Sequence, residues 1–228
     1  IKQTAGLVEM YRDLLVEVTP PDPNWGINKE SPAMIEIVAD GELDIKKLKE
    51  VLEKSKVPSN SIYRWQNHYV VFGKVQDTYV LQQRLKSTFP GAQVKPYNDL
   101  FYEFNRQRCD NKSSAKEWDH VILTARLVGD KKLQQEYLDY HATQWEKWPE
   151  VAKGFCNANF QQLLIYRDGR QLMLVISIPK GESLDKLNPK TTENNPRVDE
   201  WNSRMAKYQE GIEGTAKGET WVFLKPVN

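Results

Sequence analysis

The strongest constraint on what this chain can fold into is an order of elements that occurs twice. In the first copy, Met34-Ile35-Glu36-Ile37-Val38 is a β-branched run that reads as a strand. Asp44 then caps a helix over 45–55, in which Ile45, Leu48, Val51 and Leu52 form one apolar stripe. Runs at 61–65 and 69–75 read as a hairpin around Gln66-Asn67-His68, and Asp77 caps a second helix that ends before Pro90-Gly91. Residues 94–104 supply a closing extended segment. In the second copy, 120–127 is a strand and Asp130 caps a long helix. Residues 160–166 and 171–178 form a hairpin across Arg167-Asp168-Gly169, 196–212 carries a last helix and 220–224 a last strand.

Strand, helix, strand, strand, helix, strand is the split βαβ, or ferredoxin-like, order. The expected fold is therefore α+β, with two ferredoxin-like domains packed as an internal pseudo-dimer. The polar, unpatterned run CDNKSSAK at 109–116 is the linker, giving a first domain over 1–112 and a second over 117–228. Ahead of the first copy, Leu14 to Val18 reads as a strand or short helix. A proline-rich loop with Trp25 follows it and ends near Pro32.

The chemistry concentrates at 131–150, KKLQQEYLDYHATQWEKWPE. At about 100° per residue in a helix, Tyr137, His141, Trp145 and Trp148 share one narrow arc. Such a face sets a titratable imidazole and a phenol beside flat apolar walls, which suits a sugar, with hydroxyls around its ring and C–H patches on its faces. Buried aromatic stripes are common in amphipathic helices, so this face also fits plain core packing. Pro149 cannot continue the helix, and the expected break lies near Lys147, with a short turn through Val151 after it.

Glu136-Tyr137-x-x-x-His141 leading into Trp148-Pro149-Glu150, followed by the strand pair around Tyr166-Arg167-Asp168-Gly169, resembles the L-rhamnose mutarotase family over the second half of the chain. The resemblance implies that His141 and Tyr137 interconvert sugar anomers by acid–base chemistry without cofactor or metal. It places Trp145, Trp148, Glu150, Tyr166 and Trp201 around the substrate. Histidine suits such work because its ordinary pKa of about 6.5 lets it both take and give a proton. Trp201-Asn202 stands where the family pattern has two adjacent tryptophans, and Phe160 or Leu163 where it has a pocket tyrosine. Those differences leave a non-catalytic sugar-binding or sensing module as the alternative. A third reading is an α+β-barrel monooxygenase acting on an aromatic or haem-like ligand.

Composition narrows the partners. Lys plus Arg number 32 against 31 for Asp plus Glu, so no basic excess argues for nucleic acid. Seven Trp and ten Tyr lean toward a flat or carbohydrate ligand. His68, in a hairpin turn, reads as solvated, and His120, at a strand start, as structural. The scattered histidines form no metal set. Gly-rich phosphate loops and a G-x-S-x-G elbow are absent. The first half has no helix histidine and reads as a structural partner lending Tyr63, Trp65 or Trp25 to a rim. Cys109 and Cys156 leave a single bridge open. No run reaches the length of a membrane-spanning helix. The chain starts at Ile1 rather than Met, consistent with a cytoplasmic protein trimmed at its end or an exported one freed of its signal.

Overall fold

The computed structural model describes residues 31–227. The element at Leu14–Val18 and the Trp25 loop lie outside the described residues. The first half runs β1 (Ala33–Val38), α1 (Ile45–Lys54), β2 (Ile62–Trp65), β3 (His68–Gly73), α2 (Thr78–Thr88) and β4 (Gln93–Pro96). After β5 (Asp99–Asn105), the second half runs β6 (Trp118–Leu127), α3 (Lys131–Ala142), α4 (Gln144–Lys147) and α5 (Pro149–Asn157). It continues with β7 (Gln162–Asp168), β8 (Gln171–Pro179), α6 (Leu184–Leu187), α7 (Pro196–Met205), β9 (Gln209–Glu210) and β10 (Val222–Pro226). Side-chain oxygens start the main helices as expected. Asp44 accepts from Lys47 N, Asp77 from Val80 N, and Asp130 from both Lys132 N and Leu133 N.

The strands form one antiparallel, curled sheet in the order β4-β1-β3-β2-β10-β6-β8-β7-β5, with β9 beside β6. Both halves therefore have the ferredoxin-like order, β4-β1-β3-β2 and β10-β6-β8-β7, and the expected α+β class and repeated topology hold. They are stitched by β2 and β10, where Tyr63 faces Pro226 and Arg64 faces Lys225. Each half buries its outer sheet face under its own helices. Leu48, Leu52, Leu81 and Leu85 fill the first, and Tyr137, Trp148, Val198 and Trp201 help fill the second. A third cluster joins Met34, Val70 and Phe72 to Ile122, Met173 and Val175, so the inner faces of the two halves pack on each other as an internal pseudo-dimer would.

Several expectations need correction. Residues 94–104 are not one strand: Pro96 lacks a donor for a continuing ladder, β4 stops there, and β5 crosses to the edge of β7. The long helix ends at Ala142, not Lys147. Thr143 takes φ −103° and ψ 7° and returns its hydroxyl to Asp139 O at 2.9 Å, closing the helix before Pro149 acts. Pro149 then opens a full helix to Asn157 rather than a turn to Val151. The last long helix stops at Met205 and the last strand runs to Pro226. His68 is in β3, not a solvated turn.

His68 belongs to a polar hub between the halves. The Glu36 carboxylate, fully buried on β1, accepts from His68 Nδ1 at 2.7 Å, Lys95 Nζ at 2.9 Å, Tyr97 OH at 2.9 Å and Gln171 Nε2 at 3.1 Å. Burial pushes this carboxyl up, but the His68 hydrogen bond and the Lys95 charge outweigh it and hold it below its ordinary value. Gln171 is on β8, so the hub ties one half to the other. His120, on β6, is 2.8 Å from Ser177 Oγ through Nδ1, and burial lowers its pKa. Cys109 and Cys156 form a disulfide between the segment after β5 and the end of α5. Among the described residues no helix is long and apolar enough to cross a membrane.

Candidate functional site

A cavity of about 400 Å³ opens on the outer face of the second half, between α3 and α7 above β5, β7 and β8. Tyr137 and His141, four residues apart on α3, project into it together, as their spacing predicts. Trp201 and Asn202 of α7 reach it from the other side, and Phe160, Leu163 and Ile165 supply apolar floor. Among the described residues, none of its lining side chains is Asp, Glu, Lys or Arg.

His141 is 5% exposed and caged by rings: Tyr137 at 4.3 Å between centroids, Tyr102 and Trp201 each at 5.2 Å, and Phe101 at 5.6 Å. Its Nδ1 lies 2.9 Å from Tyr137 O. A carbonyl only accepts, so Nδ1 carries the proton and Nε2 presents a lone pair. Burial pulls the His141 pKa down to about 4, with the backbone bond opposing, so the imidazole is neutral at physiological pH.

The Tyr137 hydroxyl accepts from Gln209 Nε2 at 3.2 Å, and Gln209 Oε1 accepts from Trp221 Nε1 at 3.0 Å. This relay leaves the phenol its own O–H to donate. Burial raises the Tyr137 pKa, against the Gln209 bond, so the phenol stays protonated. Tyr102 on β5 donates to Gln144 Oε1 at 2.7 Å, and both line the cavity. The site thus offers one imidazole acceptor, neutral hydroxyl and amide donors, and flat walls.

Of the seven residues the sequence singles out, the structure brings His141, Tyr137 and Trp201 together and sets four apart. Because α3 ends at Ala142, Gln144 turns inward in place of Trp145. Trp145 stacks behind Tyr102 at 5.5 Å and 9°, with the Arg108 guanidinium 3.6 Å from its centroid. Trp148 packs against Trp201 at 5.6 Å and lines a separate surface cleft with Tyr140, Arg197 and Arg204. Glu150, in the first turn of α5, has Oε2 3.8 Å from Arg197 Nε rather than in the cavity. Tyr166 belongs to the inner face of β7, where its hydroxyl donates to Pro32 O at 2.7 Å. The proposed rim residues Tyr63 and Trp65 also pack with that inner cluster.

The residues missed are Tyr102, Gln144, Gln209 and Trp221. Gln144 lies beyond the helix break at Thr143, so helical spacing from His141 does not mark it. Nothing local marks Tyr102, because the pattern of a strand does not say which strand it pairs with.

A family profile described as L-rhamnose mutarotase matches residues 120–228. Over 121 residues, 53% of this chain and 88% of the relative, the chain is 31% identical to a UPF0734 protein of Dictyostelium discoideum. It is 30% identical over 96 residues to L-fucose mutarotase of Xanthomonas campestris pv. campestris, covering 42% of this chain and 74% of that one. Among solved structures, a heme-degrading enzyme from Listeria monocytogenes superposes with a TM-score of 0.42 at 10% identity, over 86% of this chain and all of that one.

Proposed function

The chain belongs, through residues 120–228, to the L-rhamnose mutarotase family, and from that premise we propose that it interconverts the α and β anomers of a neutral monosaccharide such as L-rhamnose. The observation that carries the reading is the convergence of the His141 imidazole and the Tyr137 phenol on one uncharged, aromatic-walled cavity. In this reading 117–228 carry the site and 1–112 form its supporting partner.

The chemistry follows from the protonation states. His141 Nε2 takes the proton of the anomeric hydroxyl while the Tyr137 O–H gives its proton to the ring oxygen. The bond from the anomeric carbon to the ring oxygen breaks and the open-chain aldehyde forms. Rotation about the adjoining carbon–carbon bond presents the other face of the carbonyl. Ring closure then returns both protons in the reverse sense. Placed acid–base groups of this kind contribute about 10²- to 10⁴-fold in rate. Trp201 offers a surface for the C–H face of the sugar. A phosphorylated sugar would bury an anion with no cation in the lining, a cost that selects against it.

Exchange spectroscopy by NMR on the α and β signals of neutral hexoses and 6-deoxyhexoses tests the proposal. Accelerated exchange for at least one neutral sugar, abolished by His141→Ala, is the expected result. Saturable binding without accelerated exchange would replace the mutarotase by a sugar-binding module.

A further inference from the structure

We infer that the cavity is a composite site, completed from the first half of the chain. Tyr102 on β5 is the positioning residue that orients the side-chain amide of Gln144, and that amide is the group that meets the sugar. The inference rests on the mutarotase reading of the cavity for its ligand, and on the geometry of β5 for everything else.

After β4 the first half sends its last strand, β5, across to the free edge of β7 in the second half. The pairing is irregular at one point: Leu100 faces Tyr166 and Tyr102 faces Ile165, so Phe101 is an extra residue against its partner strand. In a regular strand Phe101 and Tyr102 would point to opposite faces. A bulge re-aims them. Both rings here lie against the same imidazole, at 5.6 Å and 5.2 Å from His141 between centroids.

Tyr102 then does more than pack. Its hydroxyl occupies Gln144 Oε1 at 2.7 Å, and Gln144 is 1% exposed. With the carbonyl end taken by the Tyr102 hydroxyl, the two amide N–H donors face away from that hydroxyl and have no hydrogen-bond partner among the described residues. The phenol is itself braced. Trp145 stacks behind it nearly parallel, the Arg108 guanidinium lies over that indole at 3.6 Å from its centroid, and the next residue, Cys109, is bonded to Cys156 on α5. That helix contributes Phe155 to the cavity. A surface strand with no role in the site would need neither the bulge nor this backing.

The test uses the full chain with Tyr102→Phe, which keeps the ring and removes the hydroxyl, and Gln144→Met, which keeps volume and removes the amide. The Gln144 side-chain amide is identified in a ¹⁵N-correlated NMR spectrum by its loss in Gln144→Met. In the wild type it should give one resolved pair that moves on addition of L-rhamnose or L-fucose. In Tyr102→Phe the pair should broaden or shift toward solvent-like positions. Anomer exchange should lose about tenfold in kcat/KM, mostly through KM, as expected for one misdirected hydrogen-bond donor. The double variant should lose no more than Gln144→Met alone. An unchanged amide pair in folded Tyr102→Phe, or losses that multiply in the double variant, would overturn the inference. A wild type that exchanges no sugar would instead end the mutarotase reading, and the amide pair would still decide the role of Tyr102. Should Tyr102→Phe not fold, a Gln144→Met protein that folds and keeps full kcat/KM would overturn the inference by itself.

Discussion

His141 donates through Nδ1 to the carbonyl of Tyr137, one turn earlier on α3, at 2.9 Å. One helix therefore holds both proposed proton carriers and fixes the tautomer of one through the backbone of the other. Since burial lowers the His141 pKa to about 4, exchange activity should be level from about pH 8 to about pH 5 and fall only on approaching 4. A pH–rate midpoint near 6.5 would contradict this. Stability moves as well. The unfolded imidazole takes its proton near 6.5, before the folded one does. The His141 contribution is thus complete above about 6.5 and is lost as pH falls toward 4, by up to about 3 kcal/mol.

His141→Ala separates catalysis from packing. Exchange should drop by about 10²-fold or more while the far-ultraviolet circular dichroism stays native. A destabilised variant with normal exchange per folded molecule would reduce His141 to a core residue.

Removing the Glu36 carboxylate should strike the joint between the halves. Glu36→Ala leaves Lys95 and His68 facing an apolar hole, and breaking one side of such a buried pair costs about 3–5 kcal/mol. Denaturant unfolding reads the loss directly. Because the folded carboxyl titrates below its ordinary value of 4.5, its stabilisation is present above about 4.5 and is lost as pH falls below that. A wild-type midpoint unaffected by Glu36→Ala would show that the hub does not join the halves.

Sugar binding should change the emission of Trp201, which lines the cavity together with Trp221. The change should survive Trp145→Phe and be lost on replacing Trp201. Loss in Trp145→Phe with Trp201→Phe unaffected would move the binding face behind Tyr102.

A fragment beginning at Trp118 loses β2 from the edge of β10 and β5 from the edge of β7. Two open edges and a bared inner face should drive it to self-associate. Light scattering showing a well-behaved monomer at high concentration would refute this.

Much of this was legible in the residues. The aspartate caps and apolar stripes located α1, α2 and α3, and the repeated order of strands and helices yielded both ferredoxin-like halves. Tyr137 and His141 share the cavity because they lie within one unbroken helix, where 100° per residue applies. Trp145 and Trp148 do not, because that angle was carried past Thr143, whose side chain competes for a backbone carbonyl and ends the helix. Tyr102 was hidden for another reason. Its arrival depends on a strand crossing from the first half to the edge of the second and on a one-residue bulge, and both are settled by tertiary pairing rather than by any local pattern.

The disulfide gives the molecule a covalent topology that is not a simple line. Residues 109 to 156 form a closed ring through Cys109 and Cys156, and the exposed linker residues 110–114 lie on it. The two halves are consequently joined by two independent covalent routes, one through the peptide chain and one through sulfur. A protease that nicks the linker should leave a particle that migrates as one chain until a reductant is added, with β5 and its Tyr102 still in place over His141.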